Sequence, residues 1–368
     1  MAKFCIFCGL PPTDKNKEHV VPLWLIKLTG DPNRKASFGY IMSDANRSDK
    51  QRQYAFDQFT FPACEACNSK YSNLETVAQV IIEKILESKS LYPREISSLL
   101  DWLDKVRIGL WLGFHQLDKN HLEIEPNFHI ERRIGQYDRI LIVEKTNYPK
   151  SRLNFGGVNT PSFGFTPSAF TLSINQYCFT NVSYSYLLSR RIGFPYPNHL
   201  KLQPDRPELA CQIQPPRKRI MVPLLKRPIA ESGNIFYQPM FAQALTSARL
   251  DEYNDPYVVE HSLDHQKGVG SIYADIEGSS PSWLKSDMAV DITPATVIDA
   301  YHQHIKSAIN ICHWQNWLSE DWLSLEDLPP NQKRYVREIQ RIAKRVNDTV
   351  ISQHKALLTS GQSVWKQS

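Results

Sequence analysis

Two cysteine pairs of identical spacing carry the most chemistry in this 368-residue chain: Cys5 and Cys8 in Cys-Ile-Phe-Cys-Gly, Cys64 and Cys67 in Cys-Glu-Ala-Cys-Asn. A CxxC pair turns two thiolates to one side of a tight knuckle, and two knuckles complete a tetrahedral Zn²⁺ site. One such pair alone could be a redox couple. Two of them point to a structural metal, whose binding free energy becomes folding free energy for a short N-terminal segment. Between the pairs lies Lys17-Glu18-His19-Val20-Val21-Pro22. His19 suits general-base work because imidazole titrates near neutrality. Glu18 and Asn68 offer the hard oxygen donors that Mg²⁺ or Mn²⁺ take. A base for water and positive charge near a phosphate are what phosphodiester hydrolysis needs.

The order Cys-x2-Cys-Gly, Glu-His-Val-Val-Pro-Leu-Trp-Leu, then Cys-x2-Cys-Asn with Leu74-Glu75 behind it resembles the HNH endonucleases that carry a four-cysteine treble clef. The resemblance covers residues 4–76 and nothing beyond. It implies a zinc-bound ββα-metal domain, His19 as catalytic base, and Glu18 and Asn68 as ligands of a catalytic divalent metal. It also implies nucleic acid as partner, DNA ahead of RNA, products with 5′-phosphate and 3′-hydroxyl ends, and a setting in antiviral defence. Two departures stand out. The family's acid before the histidine is usually aspartate, and its central asparagine is absent from Asp57-Gln58-Phe59, which leaves the orienting role to Asp57 or Gln58 or leaves it empty. The competing reading is a zinc module that binds nucleic acid or a protein partner without cutting.

Those residues need rigid supports. Glu18–Val21 reads as a short strand, Pro22–Leu28 as one or two helical turns, and Tyr54–Phe61 as a second strand. From Asn68 a helix is predicted, with Leu74, Val77, Ile81 and Ile85 on one face. Residues 31–53, with Arg34, Lys35, Arg47, Lys50 and Arg52, read as a polar loop, either solvated or touching phosphates. Asn73, Glu75 and Lys70 follow the second knuckle and read as a polar helix face or as further site residues.

The predicted fold class is α+β, in four parts: the nuclease domain at 1–90, a helical connector at 91–119, a β-rich recognition or regulatory domain at 120–292, and C-terminal helices at 293–368. The connector carries a stripe of Leu99, Trp102, Leu103, Val106, Leu110 and Phe114. Ile140–Val143, Ala169–Ile174, Tyr177–Val182 and Ile220–Leu224 are strand candidates. The 120–292 region is also where a small regulatory ligand could bind. Ile292–His313 and Pro330–Leu358 read as helices. On the second, Val336, Ile339, Val346 and Val350 form a seam that a second copy could pair with, while Arg334, Arg337, Arg341 and Arg345 recur at helical spacing.

Composition narrows the class. With 42% hydrophobic and 22% charged residues the chain reads as an ordinary globular protein, long enough for more than one domain. A formal charge of +5 is compatible with a polyanionic partner without specifying one. No secretory leader is read and no apolar run would span a bilayer. Cys178, Cys211 and Cys312 are scattered singly, which suits a reducing cytoplasm. There is no P-loop, dinucleotide fingerprint or Gly-x-Ser-x-Gly. Gly and Asp beside His261 and His265 argue against the helix that their i, i+4 spacing would need as a metal pair.

Overall fold

The computed structural model describes residues 4–12, 16–31, 33–40, 51–56, 59–117, 126–148, 151–202, 209–214, 233–241, 256–279, 281–320 and 329–360. The first knuckle is followed by β1 (Lys17–His19), α1 (Leu23–Leu28), a hairpin of β2 (Lys35–Tyr40) and β3 (Gln51–Ala55), then β4 (Thr60–Pro62) and α2 (Glu65–Leu86). β1 and β4 pair antiparallel, setting Glu18 opposite Phe61 and His19 opposite Thr60. Two expectations change here. The ends of the 31–53 stretch are strands paired with each other rather than loop. Tyr54–Phe61 is not one strand: the chain turns between β3 and β4, with Phe59 N–H bonded to the Phe56 carbonyl. Phe56, Phe59 and Phe61 are all buried.

α3 (Pro93–Leu117) is the helix against which α2, β2, β8 and α4 pack. Trp102 through His115 are buried without interruption, so the stripe read from sequence is one side of a helix enclosed on all sides. Its side toward the four-cysteine lobe is notched by Gly109 and Gly113. A Cβ on Gly109 would come within 2.8 Å of Val20, and one on Gly113 within 2.9 Å of Phe61. The notch seats the β1–β4 hairpin against the helix.

Beyond α3 come a 3₁₀ turn at Ile130–Arg132, β5 (Asp138–Thr146), β6 (Leu153–Gly156), α4 (Pro161–Phe165), β7 (Ala169–Ile174) and β8 (Tyr177–Tyr184). Next are α5 (Ser189–Ile192), β9 (Tyr196–Leu202), β10 (Leu209–Gln214), β11 (Asn234–Gln238) and α6 (Pro256–Glu260). The remainder is β12 (Ser262–Asp264), β13 (Val269–Gly270), β14 (Tyr273–Asp275), β15 (Ser282–Trp283), β16 (Val297–Ile298), α7 (Ala300–Glu320) and α8 (Pro330–Ser360). The main sheet runs β15-β14-β11-β5-β8-β7-β6, with β16 beside β5 as its only parallel pairing among the described residues. Antiparallel strands with helices set apart on the faces make this an α+β fold.

The alternation of β5 explains the layers. Leu141 and Val143 join the core that holds α3 and the four-cysteine lobe, whereas Ile140 and Ile142 join the core beneath α7 and α8. The first core runs from Cys5 to Ile292, so no break in packing marks residues 90 or 119. Three strand candidates lie inside β5, β7 and β8; Ile220–Leu224 falls outside the described residues. α7 starts at Ala300 rather than Ile292, because Asp299 accepts the His302 N–H at 3.0 Å as a cap, and Val297–Ile298 is claimed by β5. The seam on α8 is also shifted: Ala343, Asn347 and Ile351 are its buried residues, and Val346 is exposed.

Buried charges hold the layers in register. Asp104 of α3 meets Arg107 at 2.8 Å and Arg139 of β5 at 3.1 Å. Asp138 is fully buried and accepts from the backbone N–H groups of Leu188, of Ser189 at 2.6 Å and of Met240 at 2.6 Å, and from Ser189 Oγ at 2.9 Å. Burial pushes its carboxyl up to about 6 against the pull of those donors.

Candidate metal centre and the acid–lysine cluster beneath it

The four cysteines meet as their spacing requires. One ligand atom from each of Cys5, Cys8, Cys64 and Cys67 lies within 4.8 Å of the others, and Cys8 Sγ is 4.0 Å from Cys64 Sγ. Zn–S bonds of about 2.3 Å at tetrahedral angles put sulfurs about 3.8 Å apart, so the donor set fits Zn²⁺ with little adjustment. The first knuckle closes through Gly9 N–H to the Cys5 carbonyl at 2.9 Å, and is tied to the strand pair by Ile6 N–H to the Pro62 carbonyl at 2.9 Å. The second is the N-terminus of α2, with Cys64 as its cap residue.

The sulfurs are not equivalent. Burial raises the Cys5 thiol, but N–H donors from Cys8, Cys64 and Phe7 outweigh it and hold Cys5 below the ordinary thiol range. The Cys64 N–H reaches Cys5 Sγ at 3.3 Å. Burial and the neighbouring sulfurs push Cys64 up to about 11 and Cys67 higher still. Such crowding of thiols is what a bound cation relieves. Among the described residues this is the one group of three or more Cys, His, Asp or Glu able to hold a metal ion. The segment after α3 lies against the same knuckle: Ile130 N–H bonds the Ile6 carbonyl and Glu131 N–H the Phe7 carbonyl, at 3.2 and 3.0 Å.

Of the predicted catalytic residues, His19 and Glu18 are neighbours on β1 and so take opposite faces of it. His19, at its end, is half-buried. Asn68 is half-buried in the first turn of α2, its N–H on the Cys64 carbonyl at 2.9 Å. Its side-chain amide makes no hydrogen bond among the described residues. Asp57 and Gln58, the candidates for the orienting role, lie outside the described residues, as do Arg47 and Lys50.

Glu18 points the other way. It is 8% exposed, and its Oε1 accepts from Lys105 Nζ of α3 at 2.5 Å. Lys105 also donates to Glu75 Oε1 of α2, and Trp24 Nε1 donates to Glu75 Oε2 at 3.0 Å. One ammonium thus ties β1, α2 and α3 together. Burial alone would lower Lys105, yet the charges of Glu75 and Glu18 hold it above its usual value and keep it protonated. For Glu18 the balance goes the other way, burial raising the carboxyl despite Lys105. Sequence reasoning did not single out Lys105. The sequence gives no signal for it, because Asp104 and Arg107 flank it and the apolar stripe leaves all three on the side read as facing water.

Among the described residues the other histidines do not gather into a metal-binding group. His261 is buried edge-on against the Trp283 ring at 4.6 Å, and Arg217-Lys218-Arg219 lies outside the described residues. No helix among the described residues is long and apolar enough to cross a membrane. No family model, curated protein or solved structure matches this chain.

Proposed function

We propose that the chain is a metal-dependent endonuclease of the HNH type, hydrolysing phosphodiester bonds in nucleic acid, DNA ahead of RNA. The observation that carries the reading is the pairing of a four-cysteine cluster with a β1–β4 hairpin that ends in His19 and runs on into the helix bearing Asn68. Zn²⁺ on Cys5, Cys8, Cys64 and Cys67 is structural in this reading, and the unit is a treble clef. His19 is the general base that takes a proton from water. Rigidity comes from the strand pairing beneath it, which fixes its distance to a bound phosphate.

A divalent Mg²⁺ or Mn²⁺, when bound, supplies positive charge to the phosphate and its leaving oxygen. Asn68 fits as one of its oxygen ligands, being half-buried at a helix start with an uncommitted amide. Glu18 as placed does not fit, because it is buried and its carboxylate is committed to Lys105. No step is therefore assigned to Glu18. The commitment of Glu18 favours a second reading, a zinc module that binds nucleic acid without cutting. A setting in antiviral defence and pairing with a second copy belong with the proposal.

Supercoiled plasmid and single-stranded RNA incubated with Mg²⁺ or Mn²⁺ distinguish the two readings. Wild type is expected to nick or linearise the plasmid, and His19→Ala to lose cleavage while keeping about one Zn²⁺ per chain by elemental analysis. Cleavage by His19→Ala at the wild-type rate would place the base elsewhere. Nucleic-acid binding without cleavage in any metal would establish the second reading.

A further inference from the structure

α8 is 31 residues long, and its exposed surface is strongly basic. Lys333, Arg334, Arg337, Arg341, Lys344 and Arg345 fall within an arc of about 120° at 100° per residue, and the helix carries only two acids, Glu338 and Asp348. The arc extends about 18 Å along the axis at 1.5 Å per residue, close to five base-pair steps of about 3.4 Å. Ala343 and Asn347 face the packed side, and the exposed apolar residues Tyr335, Ile342 and Val346 lie on the remaining side, away from the cations. Arg341 pairs with Glu338 at 2.7 Å, whereas Arg334, Arg337 and Arg345 make no ion pair among the described residues.

We infer that this face of α8 is a second nucleic-acid contact, gripping the phosphate backbone of a duplex without reading its bases. Four of the six cations are arginines, whose planar fork matches phosphate oxygens two at a time. Arginines spaced three, four and four apart along one helix face a linear array of phosphates better than they face a single anion. An amphipathic helix lying on a lipid surface places cations beside its apolar side; here the main apolar side is packed on the protein, the four arginines of the arc are exposed, and Asp348 within the arc is held by Asn316 of α7 at 2.9 Å. Backbone contacts of this kind give affinity without sequence preference. The inference takes its choice of polyanion from the nucleic-acid reading of the zinc lobe.

The test is fluorescence anisotropy with a 20-base-pair duplex, without divalent metal, from 50 to 300 mM KCl. Arg334→Gln/Arg337→Gln/Arg345→Gln is compared with wild type and with Lys89→Gln/Lys267→Gln/Lys285→Gln, which removes the same charge from exposed lysines elsewhere. Loss of three phosphate contacts is expected to reduce the slope of log K against log salt by about 2.7, so the affinity ratio of wild type to variant narrows about 40-fold between 50 and 200 mM. The lysine control should keep the wild-type slope. An arginine variant with wild-type slope and affinity overturns the inference and leaves His19-dependent cleavage untouched. A protein that never cuts, yet shows the slope change, sustains the inference while the nuclease reading fails. Equal arginine-dependent binding of poly-glutamate at the same salt would assign the face to an acidic protein partner and overturn it.

Discussion

Replacing Lys105 by methionine keeps most of the side-chain volume and removes the charge that Glu18 and Glu75 share. Lys105 is 1% exposed, so no water replaces it. Breaking a buried ion pair from one side typically costs about 3–5 kcal/mol, since the remaining charge is left uncompensated. The cost should depend on pH, and its sign follows from Glu18. A group whose folded pKa lies above its unfolded value contributes stability that is present below the unfolded pKa and lost as pH rises through the folded one. Glu18 is already such a group, raised by burial against the pull of Lys105. Without Lys105 it rises further, so the variant takes up its proton at higher pH than wild type does. The full penalty is therefore expected at pH 8, shrinking as pH falls toward 5 by at most about 1.4 kcal/mol per unit for one carboxylate. Loss of the cation above the Phe7 ring, 5.8 Å away, adds the same small cost at each pH. Urea unfolding of both proteins at pH 8, 7, 6 and 5, followed by circular dichroism, measures the gap. A gap that does not change with pH would show that Lys105 matters through packing and not through charge. Lys105→Met/Glu18→Gln/Glu75→Gln should recover most of the loss at pH 8, because a neutral set leaves no buried charge.

Gly109→Ala sets helix propensity against sterics: alanine gains about 1 kcal/mol as a helix former, but a Cβ 2.8 Å from Val20 costs about 1–3 kcal/mol, so a net loss is expected in thermal melts, and a gain would mean the hairpin can shift. Asp138→Asn should cost about 2–3 kcal/mol, since its carboxylate alone accepts from three backbone N–H groups; denaturant midpoints check this, and an unchanged midpoint would refute the clamp. Cys64→Ala should lower both zinc content and thermal stability, by elemental analysis and melting, and full zinc retention would contradict the four-sulfur site.

What can be read from the residues alone is whatever local chemistry decides. The CxxC spacing is a covalent constraint, and all four sulfurs converge. β7 matches Ala169–Ile174 end to end, because a sheet covered on both faces writes its strands as unbroken apolar runs. The unread parts are those decided by partners far away in the chain. A stripe pattern places Asp104, Lys105 and Arg107 toward water, but β1, α2, β5 and β8 bring Glu18, Glu75, Arg139 and Asn181 to them. Glu18 shows the same limit at the site itself: its neighbour His19 and the family pattern suggest a metal ligand, while a lysine 87 positions later gives it another partner. Val297–Ile298 reads as the start of a helix until β5 pairs with it.

The strand order also sets a timetable for synthesis. β5 has β8 on one side and β11 on the other, yet β11 ends at Gln238, roughly fifty residues after β8 ends at Tyr184. At roughly 5–20 residues per second a ribosome needs on the order of 3–10 s to cover that interval. For that time the central strand of the nascent sheet presents an open hydrogen-bonding edge along Ile140–Val143, the kind of edge that recruits other chains. Slowing or speeding translation between residues 184 and 238 should therefore change the yield of native protein without altering a single contact in it.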